Sequence, residues 1–184
     1  MRTLGTRPPN GFTLIELLIT ISILGVVIAL AAPSFQRLIA ENRAHSISIE
    51  LASALMQARS EAVKRASKVT LCKSNDVSSN ANPTCTSAAG TSWADGWVSY
   101  TDGGTAGTID GTDTRLKVGN PNSGTGTIAS SNGNFDNYIS FDSRGAVVIT
   151  GGASTTTFTI CVAPSSRTIQ VSPIGRIHTD SGSC

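Results

Sequence analysis

An unbroken apolar run begins abruptly at Phe12 and constrains the chain more than any other feature. It reads Phe-Thr-Leu-Ile-Glu-Leu-Leu-Ile-Thr-Ile-Ser-Ile-Leu-Gly-Val-Val-Ile-Ala-Leu-Ala-Ala, ends at Ala32 before Pro33, and carries a single charge, Glu16. As a helix rising about 1.5 Å per residue it is about 31 Å long, enough to cross a bilayer core. Residues 1–11 are polar, hold Arg2 and Arg7, and contain no apolar stretch of their own. Basic residues before a spanning segment predict that the N-terminus stays cytoplasmic and the remainder is exported. A general secretory signal would place cleavage after the run, with Ala29-Leu30-Ala31 as a loose small-x-small site. The helical pattern continues past Ala32, which a discarded signal would not require. An ordinary signal anchor accounts for everything except Glu16. A carboxylate in an apolar segment costs about 2.5–3.5 kcal/mol at the bilayer centre and less near an edge. Glu16 therefore needs a partner.

Beyond Pro33 the apolar residues Ile47, Leu51, Leu55, Ala58 and Ala62 recur at spacings of three and four. That is one stripe of an amphipathic helix able to lie on a sheet. Arg43, Glu50, Gln57, Glu61 and Lys64 fall mostly off it, and Lys64 and Arg65 suit a helix C-terminus. A helix over residues 12–66 would be about 80 Å long. Pro33 removes one intrahelical hydrogen bond and Gly25 weakens the same stretch, so residues 25–33 are expected to be its least stable part. His45 reads as a polar residue on a solvated face.

From Lys68 the pattern changes to short runs rich in β-branched and aromatic residues, separated by Gly, Asn, Asp and Ser. Strands are expected at residues 69–72, 97–101, 116–118, 138–141, 146–149, 157–162 and 168–171, with loops at 74–92 and 102–113. The expected class is α+β, one long helix packed on an antiparallel sheet. Trp93 and Trp97 read as core. Asp110-Gly-Thr-Asp113 lacks the EF-hand spacing of acidic ligands and reads as a polar turn.

Four cysteines, Cys72, Cys85, Cys161 and Cys184, are scattered, and only His45 and His178 are available to assist a metal. A secreted domain with two disulfides is favoured over a zinc site. Of the three possible pairings, Cys72 with Cys85 closes a short polar loop, and Cys161 with Cys184 would staple the C-terminus to a strand. The 14 basic and 12 acidic residues become 12 of each once Arg2 and Arg7 are set aside, which argues against bulk binding of nucleic acid or acidic lipid. No G-x-S-x-G, P-loop or H-E-x-x-H is present and the carboxylates are sparse, so no enzyme and no cofactor is expected.

Gly11-Phe12-Thr13-Leu14-Ile15-Glu16 resembles the processing signal of type IV pilins and type II secretion pseudopilins. The resemblance implies that a prepilin peptidase cuts between Gly11 and Phe12 and methylates the new terminal phenylalanine. Glu16 would then be the fifth mature residue, placed to neutralise a neighbouring subunit's terminal ammonium in a bundle of such helices. It also implies a leader over residues 1–11, a membrane and filament-core helix over 12–32, an amphipathic helix over 33–66 and a β-rich head over 67–184. Local unwinding of the helix within filaments is a further family property.

Within the head, the resemblance narrows to the FimT/FimU/GspH class of minor pilins. It rests on Ala58-Arg59-Ser60-Glu61-Ala62-Val63-Lys64-Arg65, on Gly96-Trp97, on Phe141-Asp142-Ser143-Arg144-Gly145 and on Ile174-Gly175-Arg176-Ile177. The implied role is a minor pilin that primes or couples pilus assembly, with the major pilin, other minor pilins, the inner membrane and the peptidase as partners. Adhesion, twitching motility and DNA uptake would depend on it. The alternatives are a minor pseudopilin of type II secretion and direct DNA binding in natural transformation. For the latter, Arg176 matches the Gly-Arg-x-Arg motif of the FimT branch, but His178 replaces its second arginine. Arg167, Arg144 and Lys117 would add phosphate contacts if they share a face. Otherwise Arg176 would sit in a hairpin and pair with a carboxylate such as Asp180.

Overall fold

The computed structural model describes residues 11–119, 126–148, 155–182 and 184. The chain forms two compact units, one through Leu38 and one from Ile39. Helix α1 spans Leu14–Arg65 without interruption at Gly25 or Pro33.

In the first unit every large apolar side chain of α1 is exposed. Hydroxyls of this stretch are satisfied within the helix: Thr20 Oγ1 donates to the Leu17 carbonyl at 2.8 Å and Ser22 Oγ to that of Leu18 at 2.7 Å. An exposed apolar helix whose hydroxyls bond inward is what an apolar solvent tolerates.

In the second unit Leu51, Leu55, Ala58 and Ala62 of the expected stripe are at or near zero exposure, Ile47 is only partly buried, and Ala44, which was not expected, is also fully buried. The helix ends in a Schellman arrangement, with Ser67 N bonded to Ala62 O at 3.2 Å and Ala66 N to Val63 O at 3.3 Å. Ala66 holds the left-handed position at φ 49°, where glycine is the usual choice.

A single sheet was expected, but the head contains two. The first runs β3 (Arg115–Gly119), β2 (Trp97–Thr101), β1 (Val69–Lys73), β5 (Tyr138–Phe141), β6 (Val147–Val148), and the second runs β4 (Thr127–Ser130), β7 (Thr156–Val162), β8 (Ser165–Val171), β9 (Ile177–Ser181). All pairings are antiparallel. The expected strand over 146–149 is shorter, and Ile149 lies outside the described residues. β4 and β9 were not anticipated.

The two sheets and the helix share one core. Leu51 and Leu55 of the helix meet Leu71, Trp97, Ile139 and Phe141 of the first sheet and Phe158, Ile160 and Ile169 of the second. Trp93 joins the sheets edge-on to Phe158, with ring centroids 5.4 Å apart, and its Nε1 donates to Phe135 O at 3.3 Å. Both tryptophans are core residues, as expected.

The first sheet is covered on its other face too. Cys72, Val98 and Tyr100 pack there with Val77, Ile109 and Tyr138 beneath the two long loops. The disulfide between Cys72 and Cys85 ties one loop to β1, as expected. Asp76 organises that loop, accepting from Ser74 Oγ at 2.6 Å, Asn80 Nδ2 at 3.0 Å and Thr84 N at 3.0 Å.

The second expected disulfide is absent. Cys161 and Cys184 are free thiols, although they lie beside one another. Cys184 Sγ donates instead to the Ser165 carbonyl at 3.4 Å, so the C-terminus is held to the start of β8 by a weak hydrogen bond.

Candidate functional site

The candidate assembly site is the start of α1. Gly11, Phe12 and Thr13 precede the helix and are exposed, and Phe12 is 86% accessible. The bond between Gly11 and Phe12 therefore lies in open, non-helical chain, the form a peptidase needs. Thr13 is the N-cap: its Oγ1 accepts from Glu16 N at 3.2 Å, and its carbonyl accepts from Leu17 N at 3.2 Å. Glu16 is thus the third helical residue, and Thr13-Leu14-Ile15-Glu16 has the form of a capping box. A carboxylate in the first turn also complements the positive end of the helix dipole. Thr13 was missed as a functional position, although the T-x-x-E spacing is legible in the sequence. Glu16 is exposed and stands alone in charge from there through Ala32.

The second candidate site is the basic set on the head, whose members lie on different strands and turns. Lys117 sits on β3, the outer strand of the first sheet. Arg167 lies toward the beginning of β8, where its Nη2 is 3.5 Å from Glu41 Oε1. Arg144 is neutralised by Asp142, with Nη2 3.0 Å and Nε 3.1 Å from Oδ2. Burial opposes ionisation of Asp142, but hydrogen bonds from Ala146 N and from Arg144 outweigh it and hold the carboxyl below the usual range.

Arg176 and His178 do come together. With Thr155, Gln170 and Ser172 they line a shallow concavity of ≈ 310 Å³. Pairing of Arg176 with Asp180 does not occur: Asp180 lies opposite Thr168, near the other end of β9, and accepts from Ser181 N at 2.8 Å. No ion pair to Arg176 is present among the described residues.

Three of the head motifs converge on one point. Arg59 of α1 donates to the carbonyl of Gly145, in the turn between β5 and β6, and to that of Ile174, in the turn between β8 and β9. Val147 N donates across to Pro173 O at 2.8 Å, linking the same turns. Gly145 and Gly175 both have positive φ, 78° and 76°. A Cβ at Gly145 would press on the Arg59 side chain, and one at Gly175 would meet the Gly145 carbonyl oxygen and then Arg59.

A capped apolar helix with one early carboxylate, followed by an amphipathic segment laid on an antiparallel head, defines a pilin-type subunit. Residues 7–32 match the prokaryotic N-terminal methylation motif, and residues 49–175 match the family described as type II transport protein GspH. The chain belongs to that GspH family, within the FimT/FimU/GspH class of minor pilins and pseudopilins. Among solved structures it is similar to two crystal forms of the Pseudomonas aeruginosa (strain PAO1) type IV minor pilin FimU. One, in space group P21, is 22% identical with a TM-score of 0.57 over 76% of this chain and 89% of that one. The other, in space group P65, is 22% identical with a TM-score of 0.54 over 74% and 91%. At this identity the likeness establishes the fold. No curated protein matches the chain. Proteins of these families are structural subunits and not enzymes.

Proposed function

We propose that this chain is a minor subunit of a type IV pilus. It is inserted in the inner membrane with its head in the periplasm, cut after Gly11, methylated on Phe12 and then built into the filament at the cell surface. In this reading residues 1–11 are the leader, 12–32 the membrane and filament-core helix, 33–66 the amphipathic helix and 67–184 the head. The major pilin, other minor pilins and prepilin peptidase are its partners, and its role is to prime or couple polymerisation. The observation that carries the reading is a lone carboxylate, four positions after the proposed new amine, on an exposed apolar helix. An unpaired charge of either sign is costly among packed apolar helices, so amine and carboxylate of adjacent subunits neutralise each other.

The place of Glu16 in the first helical turn shapes the experiment. Glu16→Gln keeps a residue suited to the third helical position while removing the charge. Processed chain should accumulate in the membrane, with recovery in sheared fibres falling at least tenfold. Normal incorporation of Glu16→Gln would leave the Glu16 charge without a part in assembly and remove the basis of the proposal.

Two further readings have one observation each. The GspH family match favours a minor pseudopilin of type II secretion. Co-purification with secretion-system components, instead of fibre subunits, would establish it. Direct DNA binding is favoured by the exposed, acid-free pair of Arg176 and His178. A handful of phosphate contacts would give weak, salt-sensitive binding without sequence preference. Arg176→Ala should abolish a low-salt gel shift by the full chain, and an unaltered shift would dismiss this reading.

Cys161 and Cys184 are proposed to close into a second disulfide after export. Two thiols would pass two electrons to a disulfide oxidant of that compartment and release two protons.

A further inference from the structure

The face of the first sheet turned away from α1 is left open at one corner. Side chains alternate across β1 and β5: Val69, Leu71, Ile139 and Phe141 enter the core under the helix, so Lys68, Thr70, Tyr138 and Ser140 take the other face. The two long loops cover that face near Cys72 and Val98. Beyond them lies a cavity of ≈ 110 Å³, walled by Lys68, Tyr138, Ser140 and Val148, by Ala106 of the second long loop and by the turn at Asn134 and Phe135. A fixed polar chain runs beneath it. Lys68 Nζ is 2.9 Å from Oδ1 of Asp102, whose side chain is fully buried. Thr70 Oγ1 donates to Asp102 Oδ2 at 2.6 Å and lies 2.6 Å from Ser140 Oγ. Thr70 has one hydroxyl proton and gives it to Asp102, so Ser140 is the donor to Thr70. Apolar side chains of similar volume often stabilise a buried corner at least as well as such a network. Assembly through α1 makes no use of it.

We infer that this cavity binds a neutral hydroxylated ligand, a single sugar ring entering by one edge. The lining supplies both halves of a hydroxyl's hydrogen bonding. Lys68 keeps two N–H donors besides the one aimed at Asp102, and Ser140 Oγ, having donated its proton to Thr70, keeps acceptor capacity. One sugar hydroxyl accepts from the first, and its neighbour on the ring donates to the second. Charge selects the same class. The Asp102 carboxylate behind Lys68 offsets its charge and removes most of the attraction for an anion, while the ammonium at the wall repels a cation. Val148, 43% exposed, offers apolar surface to the C–H face of the ring. A cavity of this size holds about three or four waters, the share that one edge of a ring displaces. The rest of the ring, and any sugars joined to it, would extend into solvent.

The full chain, solubilised in a detergent without a sugar head group, would be mixed with the methyl glycosides of mannose, glucose and galactose. Saturation transfer from protein to sugar would be read by proton NMR. Transfer to at least one glycoside is expected. Ser140→Ala removes the acceptor, and Val148→Trp fills the mouth of the cavity without touching the polar chain. Each should weaken affinity for that glycoside at least tenfold, about the effect of losing one hydrogen bond. Absence of transfer to all three sugars would overturn the inference, as would unchanged affinity in either variant with a wild-type urea midpoint. Displacement of the bound glycoside by inorganic phosphate would overturn the assignment to a neutral ligand. If Ser140→Ala lowers the urea midpoint, Val148→Trp decides alone.

Discussion

Arg59 Nε lies 3.0 Å from the Gly145 carbonyl oxygen, and the same guanidinium reaches the Ile174 carbonyl at 3.3 Å. One helical side chain thus holds a turn from each of the two sheets. Hydrogen bonds from a charged donor contribute about 1.5–3 kcal/mol when partly shielded, and their removal strands two carbonyls. Arg59→Met, which keeps the aliphatic stem, should lower the stability of the protein by about 1–3 kcal/mol in urea unfolding. Gly175→Ala should cost more, because it combines a φ of +76° with a collision against the Gly145 carbonyl oxygen. Gly111→Ala is the matched control: its φ is also positive, at +51°, but nothing lies within 4 Å of the added carbon. If the two glycine variants unfold alike, the close approach of the turns contributes nothing.

The end of α1 offers a change in the other direction. Ala66 occupies the left-handed C′ position at φ 49°. A residue with a Cβ pays about 1–2 kcal/mol there, and glycine pays little beyond the extra freedom it gains on unfolding. Ala66→Gly should therefore raise stability by about 0.5–1 kcal/mol. A drop in the urea midpoint would contradict this account of how the helix terminates.

Most of this architecture is legible in the residues, and the failures have physical causes. The strand at Trp97–Thr101 and the buried stripe of α1 follow from aromatic and apolar periodicity. Two strands escape that logic. β4, Thr-Ile-Ala-Ser, has a single large apolar residue, and β9, Ile-His-Thr-Asp-Ser, is an edge strand exposed along most of its length. Neither has an alternation to read, because edge strands are held by backbone pairing more than by burial. Missing them merged two sheets into one. At the candidate site, Glu16 stands out because a charge in an apolar run is anomalous, whereas Thr13 looks ordinary until its hydroxyl is seen capping the helix. The basic residues were individually visible. Their placement depends on strand order and on partners such as Glu41, which lies far from Arg167 in sequence.

Acid sensitivity should concentrate in the disulfide-bounded loop. Burial disfavours the Asp76 carboxylate, but hydrogen bonds from Ser74, Thr84 N, Asn80 and the Thr84 hydroxyl outweigh it and hold the carboxyl below its usual value. A depressed folded-state value means that the stabilisation is present above the ordinary carboxylate pKa, near 3.9, and is lost as pH falls through the folded one. Asp142 has the same sign. Unfolding midpoints should change little from these groups between about pH 5 and 8, then fall on acidification. Asp76→Asn should lower stability at neutral pH and flatten the acid limb. An acid limb as steep as that of the wild type would exclude Asp76 as its source.

The two free thiols should differ sharply in reactivity. Burial, reinforced by the neighbouring Cys184, pushes the Cys161 thiol up to about 11, so at pH 8 it is almost wholly protonated. Only the thiolate attacks an alkylating agent, and Cys184 is the exposed member of the pair. Iodoacetamide at pH 8 should label Cys184 well before Cys161 in folded chain, as read by peptide mass. Oxidation should then couple the two, and the added crosslink should raise stability by about 3 kcal/mol for a loop of this size. Prior alkylation of Cys184 should abolish that gain while leaving the bond between Cys72 and Cys85 intact. Equal labelling of both thiols would mean that Cys161 is not shielded by β7 and its neighbours. Failure of oxidation to link them would leave the C-terminus held only through Ser165 and the edge pairing of β9.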